Sequence, residues 1–255
     1  MPRPTPPRMA AADIAARAAE KRRAIIAFLA SGERWTTTEI IQLLLGGCDR
    51  MAAARTLRAL ERAGYVLSEK INPLVPTVYG ITAAGLALAG VTDLPPFWRG
   101  RVKPAYMAHH LAIQRARLRA ESLGWGYWIP TRRLMPPPPA KGQKRQKGGF
   151  AKIPDAIAKS PRGTAVAIEV EINHKYPATK YQDIIGRHIQ AIDDGKYDLV
   201  HYLDPHGRQD TLARLFAGLA TIRVRGELVP FGEHRKRITC HALSDWPPPS
   251  KESSK

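Results

Sequence analysis

The sequence predicts a chain of mixed class, α+β or α/β, built in two parts. Residues 12–95 alternate short amphipathic helices with two β-rich stretches, and residues 104–246 alternate strands with helices around a small mixed sheet. Pro-rich punctuation supports that division. Asp93-Leu-Pro-Pro-Phe97 closes the first pattern, whereas Pro136 to Pro139 and the run KGQKRQKGG interrupt the second as a loop. Charge then narrows the function. Forty Lys+Arg against 22 Asp+Glu leave a formal net charge of +18 on 255 residues, which calls for a polyanionic partner. Cys48 and Cys240 are the two cysteines, too few for a disulfide scaffold or a Cys-rich zinc module and suited to a reducing cytosol. No apolar run reaches the length of a membrane span, and no basic amphipathic helix has a broad bulky apolar face, so a cytoplasmic protein without a membrane partner is expected. Residues 1–8 and 247–255 read as disordered ends.

In the first part, Asp13 is placed to cap a helix whose apolar positions Ile14, Ala18, Ile25, Phe28 and Leu29 follow the 3.6-residue period to Ser31-Gly32. Thr36-Thr37-Thr38-Glu39 offers N-caps for a short helix from Ile40 to Leu45, ended by Gly46-Gly47. Asp49 caps a third helix that runs to about Ala63 and stops at Gly64. Tyr65 to Ile71 and Thr77 to Ile81 are β-rich and flank a Pro-containing turn, and Thr82 starts a last small helix. This order is that of a winged helix-turn-helix. On the third helix Met51, Ala54, Leu57 and Leu60 are expected to face the core. Arg55, Arg58 and Arg62 share another face, where guanidinium groups can neutralise phosphates or read guanine in a major groove.

The second part begins with a helix over Pro104 to Gly124, Leu111 and Leu118 inside and Arg115 and Arg119 outside, followed by an aromatic strand at Gly126 to Ile129. Strands are expected at Phe150 to Ala158, Ala165 to Ile172 and Asp198 to Leu203. A helix over Thr179 to Ile192 falls between the last two, and another carrying Leu212, Leu215, Phe216, Leu219 and Ile222 follows. Alternation along Ala165 to Ile172 puts Val166, Ile168, Val170 and Ile172 on one face, and Ala167, Glu169 and Glu171 on the other. Glu-x-Glu alone also describes an exposed edge strand. Here Pro154-Asp155 lies one hairpin upstream and Lys175 follows Glu171 by four residues, so two acids, a third acid and a lysine are drawn to one strand end. Such a set suits Mg²⁺ or Mn²⁺: carboxylate oxygens bind the ion, and the lysine stabilises developing charge at a phosphate.

The segments IPDAIA and VAIEVEINHK resemble the PD-(D/E)xK nuclease core. More narrowly, they resemble the replication-relaxation and MobC-type relaxase group of plasmid and mobile-element proteins, which join an N-terminal winged helix to a restriction-endonuclease-like domain. The resemblance implies a metal-dependent DNA-nicking activity with Asp155, Glu169, Glu171 and Lys175 as catalytic residues, the three acids holding the metal. Lys180 is the alternative lysine, because Glu171 stands where the plain motif has its own. His110, or else His109, answers to a histidine on the first helix of this domain, although adjacent helical histidines also serve as interfacial packing. It further implies duplex DNA at the winged helix, single-stranded DNA at the nuclease-like site, a homodimer or an accessory mobilisation protein as partner, and a bacterial cytoplasm. A non-catalytic replication or transcription regulator that uses the same fold as a DNA-binding platform is the alternative. Lys141, Lys144, Arg145, Lys147 and Lys152 in the basic loop would hold the DNA backbone beside Asp155, and Trp125, Tyr127 and Trp128 either stack on bases or fill the core.

Overall fold

A computed structural model describes residues 10–135 and 152–248, and the chain falls into two compact units that divide between Pro104 and Ala105. The class is mixed α and β in both units.

The first unit contains α1 (Ala11–Phe28), β1 (Trp35–Thr37), α2 (Thr38–Leu44), α3 (Arg50–Arg62), β2 (Val66–Glu69), β3 (Val78–Ile81) and α4 (Ala83–Leu88). Its sheet has the order β1-β3-β2, antiparallel throughout, with Trp35 opposite Gly80 and Val66 opposite Ile81. Asp49 caps α3 as expected, its carboxylate accepting from Met51 N and Ala52 N at 3.0 and 3.2 Å. Thr82 caps α4 through Gly85 N at 3.1 Å. Three details differ from expectation. Asp13 lies inside the first turn of α1, behind Ala10, which makes no side-chain cap. Ile14 and Ala18 are exposed, and the buried part of α1 starts at Ile25. On α3 the buried stripe is Ala53, Leu57 and Leu60, while Met51 is exposed. A strict three-residue spacing turns back about 60° at each step on a helix of 3.6 residues per turn, so Met51 and Leu60 end on opposite faces. Beyond residue 95 the chain stays on this unit: Phe97 is buried and lies where Gly80 has no side chain, and Gly100 N donates to Glu69 Oε1 at 2.8 Å.

The second unit contains α5 (Pro104–Ser122), β4 (Gly126–Pro130), α6 (Thr131–Leu134), β5 (Ala156–Lys159), β6 (Ala165–Val170), α7 (Lys180–Asp193), β7 (Leu199–Asp204), α8 (Gln209–Ala217), β8 (Thr221–Val224), β9 (Glu227–Pro230) and β10 (Ile238–Ala242). Its main sheet has the order β10-β7-β6-β5-β4. β4, β5 and β6 form an antiparallel meander, and β7 and β10 continue in parallel from β6. β6 is therefore the central strand, and Glu169 is not on an edge. The sheet is covered on both faces. Val166, Ile168 and Val170 pack with Ala112 and Ala116 of α5 and with Trp246, whereas Ala167 packs with Tyr181, Ile185 and Ile189 of α7. Arg115 is half-buried and Arg119 exposed on α5, with Leu111 buried and Leu118 half-buried. α8 ends at Ala217, so Leu219 and Ile222, expected on that helix, lie beyond it, Ile222 in β8, and the β8–β9 hairpin and β10 had no expectation attached. Phe150 lies outside the described residues, and residues 152–155 precede β5 as an irregular approach.

His201 on β7 illustrates how the core selects a protonation state. Its Nδ1 accepts from Trp246 Nε1 at 2.8 Å, and burial, with His241 nearby, drives its pKa down to about 3. The unfolded chain takes up this proton first, at about 6.5, so the contribution to stability is intact above that value and lost as pH falls toward 3. Between pH 7 and pH 5 the wild type should lose about 2 kcal/mol more than His201→Gln, read from urea midpoints. Equal losses in the two proteins would show that His201 is hydrated in the folded state.

Candidate active site

The acids singled out by the sequence gather at one end of the central strands. Asp155 leads into β5, and its N donates to Ile168 O at 3.0 Å, which ties it to β6 one residue short of Glu169. Glu171 lies just past β6, where its N donates to Leu203 O of β7 at 2.9 Å. Alternation would project Glu169 and Glu171 together, but the tertiary structure gives each a separate partner. Lys152 Nζ lies 2.6 Å from Glu169 Oε1. Lys175 Nζ lies 2.7 and 2.6 Å from the two oxygens of Glu171. Lys180 opens α7 as an exposed side chain, so of Lys175 and Lys180 it is Lys175 that meets one of the acids.

Asp155 has its own histidine. His109, not His110, reaches it from α5: His109 Nε2 lies 3.0 Å from Asp155 Oδ2 and 3.0 Å from the Val170 carbonyl oxygen. Both neighbours are acceptors, so Nε2 carries a proton that they share. The hydrogen bond to Asp155 is the main reason the His109 pKa is raised, against an opposing effect of burial, and the charges of Asp155 and Glu169 add to it. Asp155 Oδ2 also accepts from Val170 N at 2.8 Å, which fixes the carboxylate against β6. His110 instead faces Gln114 one turn along α5, Nε2 to Nε2 at 2.8 Å.

Glu169 sits beneath α7 with 12 % of its side-chain surface exposed. Burial alone would push its carboxyl up, but the nearby His188 ring and then the Lys152 ammonium more than offset this and hold it below the usual carboxylate range. His188 Nε2 is 3.2 Å from Glu169 Oε1, and its Nδ1 meets Tyr197 Oη at 2.7 Å, so a buried Tyr–His pair backs the acid. A second buried pair flanks the site. His174 Nε2 lies 2.6 Å from Asp204 Oδ2, and Asp204 Oδ1 accepts from His206 N and Arg208 N at 2.6 and 3.2 Å. Burial would raise the Asp204 carboxyl, yet these donors hold it low.

Lys152, His188, Tyr197, His174 and Asp204 had no catalytic reading from the sequence. His188 left one signal, a polar residue on the apolar stripe Tyr181, Ile185, Ile189 of α7. Asp204 left another, an acid ending the apolar run Leu199 to Leu203.

Among the described residues no three His, Cys, Asp or Glu side chains form a ready metal-holding group, so Asp155, Glu169 and Glu171 are not brought together as one ligand set. The donors present still match a hard divalent cation in kind. Asp155 Oδ2 and the Val170 carbonyl converge on one point, now filled by the His109 N–H, and the negative charge of Glu169 is felt there. Glu171, held at both oxygens by Lys175, is the least available of the three. Lys141, Lys144, Arg145 and Lys147 lie outside the described residues.

In the first unit Arg55, Arg58 and Arg62 are exposed on α3, opposite the buried stripe. Comparison of the chain with protein-family models, with curated proteins and with solved structures finds no match. No helix among the described residues is long and apolar enough to cross a membrane.

Proposed function

We propose that this is a DNA-binding, metal-dependent nicking protein of the relaxase-like kind, acting in plasmid or mobile-element replication or mobilisation. A winged helix carrying Arg55, Arg58 and Arg62 would engage duplex DNA, and a PD-(D/E)xK nuclease-like unit would cut it. The observation that carries the reading is the meeting of Asp155 Oδ2, the Val170 carbonyl and the Glu169 charge at the end of the β5–β6 ladder. A small mixed sheet with Pro-Asp at the head of one strand and Glu-x-Glu on the next is what the resemblance to such nucleases implies.

Asp155 and Glu169, with the Val170 carbonyl, would hold Mg²⁺ or Mn²⁺, and the ion supplies a water of lowered pKa and charge stabilisation at the phosphate. The chain's own groups do the rest. Lys152 and Lys175 present ammonium groups beside the acids, where they orient a phosphate and offset charge that develops on it. Glu171 steers Lys175 into that position, and the Tyr197–His188 pair orients Glu169.

Supercoiled origin-bearing plasmid incubated with the protein and Mg²⁺ should become open circular. Chelation of the metal, or Asp155→Asn, should leave it supercoiled. Wild-type protein that binds the plasmid and leaves it intact at every Mg²⁺ or Mn²⁺ concentration would remove the enzyme reading. A regulator without catalysis would then be favoured by a specific feature: each acid already has a donor on it, Lys152 on Glu169, Lys175 on Glu171 and the His109 N–H on Asp155.

A further inference from the structure

The aromatic segment before the basic loop is divided by the fold in a way its sequence does not show. Trp125 packs on Trp246 with ring centroids 5.1 Å apart, and Trp128 is half-buried against the same cluster. Tyr127, between them, is 78 % exposed. Two features hold it outward. The β4–β5 register shifts between Gly126 and Ile129, and Tyr127 itself takes φ 52, a left-handed conformation that a bulky residue adopts only under constraint. Such a bulge re-aims a side chain, and strain of this kind persists where the surroundings over-determine it.

Tyr127 has a cationic neighbour. Lys159 Nζ lies 5.1 Å from its ring centroid, and Lys159 is itself exposed. Arg132, Arg133 and Arg162 occur on the flanking segments, while residues 123–135 and 156–168 contain no Asp or Glu. β4 is the edge strand of the sheet. Ile129 pairs with Ile157, so alternation places Ile129, Ile157 and Lys159 on the sheet face that also carries Glu169, and the ring of Tyr127 meets Lys159 there. Lys159 is four residues from Asp155, about 13 Å along an extended strand.

We propose that Tyr127 is a stacking platform for an unpaired base of a DNA strand, with Lys159 beside it on the adjacent backbone phosphate. An exposed ring with a cation over its face is the chemistry that holds single strands without reading their sequence. The inference rests on the reading of the chain as a DNA-acting protein, and it names the substrate form that this edge takes.

The test uses the full chain in EDTA at low salt, with fluorescence anisotropy of a labelled 20-nucleotide oligo-dT and of a labelled 20-base-pair duplex. Wild type should bind both. Tyr127→Ala should weaken oligo-dT binding about tenfold or more and leave duplex binding within about twofold. Tyr127→Phe should bind oligo-dT as wild type does, because a phenyl ring stacks equally well. Arg55→Ala with Arg58→Ala should show the reverse pattern, losing duplex and keeping oligo-dT. Four results would overturn the proposal. They are no oligo-dT binding by wild type, unchanged oligo-dT binding by Tyr127→Ala, equal loss of both forms in Tyr127→Ala, or Tyr127→Phe as weak as Tyr127→Ala. A protein segment docking on the β4 edge would give the second of these. Plasmid nicking is scored separately, so loss of the nicking reading and loss of this one are distinguishable.

Discussion

Glu169→Gln should abolish plasmid nicking, a loss of at least about a hundredfold, while the protein stays folded and binds duplex DNA as before. The size follows from what the carboxylate is asked to do. Metal-ion stabilisation of a phosphoryl transition state is worth several kcal/mol, and each 1.4 kcal/mol is about tenfold in rate. Glutamine keeps the shape but not the charge, so a bound ion would lose one of the two acidic ligands proposed for it. The fold should survive because Lys152, left without its partner, keeps 27 % of its side-chain surface in solvent and can turn outward. Glu171→Gln should cost much less, since its charge is already taken by Lys175. Nicking rates of the two variants side by side, with duplex affinity as control, decide between the acids. Full activity in Glu169→Gln would move the protein to the non-catalytic reading.

Gly186→Ala should destabilise the second unit by about 3 kcal/mol or more. A Cβ at this position of α7 would fall inside the Arg223 carbonyl group, a backbone contact with β8 that no rotamer change relieves. Helix propensity argues the other way, since Ala is better than Gly inside a helix by about 1 kcal/mol. The clash wins because helix and hairpin must separate to admit the methyl group, which opens the cluster of Tyr181, Ile185, Ile189 and Ile222. α7 also carries His188, so Glu169 would lose its backing and nicking would fall with stability. Urea unfolding checks the claim, and a variant about 1 kcal/mol more stable than wild type would mean that α7 and β8 do not meet at this glycine.

Local chemistry was readable where it is decided locally. Asp49 and Thr82 announced their helices because a capping oxygen acts on nitrogens two or three residues away. The alternation of Ala165 to Ile172 announced a strand, formed over Ala165–Val170, with Glu169 on the face opposite Val166, Ile168 and Val170, since side chains in a strand have a period of two. Arg55, Arg58 and Arg62 announced an exposed basic face for the same kind of reason. The approach of Asp155 to Glu169 was legible only as a plausible hairpin length.

Pairing across sequence distance was another matter. His109 and His110 are equivalent neighbours in the chain, and only the 61-residue reach to Val170 selects His109. Lys152 reads as one more charge in a basic run until β5 turns it onto Glu169. Trp125, Tyr127 and Trp128 share one aromatic stretch, yet Trp125 and Trp128 are half-buried against the core while Tyr127, at the shift of register, stands in solvent. The sequence by itself determined the mixed class, the charge that asks for a polyanion and the segment in which the acids lie. Tertiary structure alone decided which cation each acid meets, because contact energies of this kind depend on a few ångströms of separation between groups far apart in the chain.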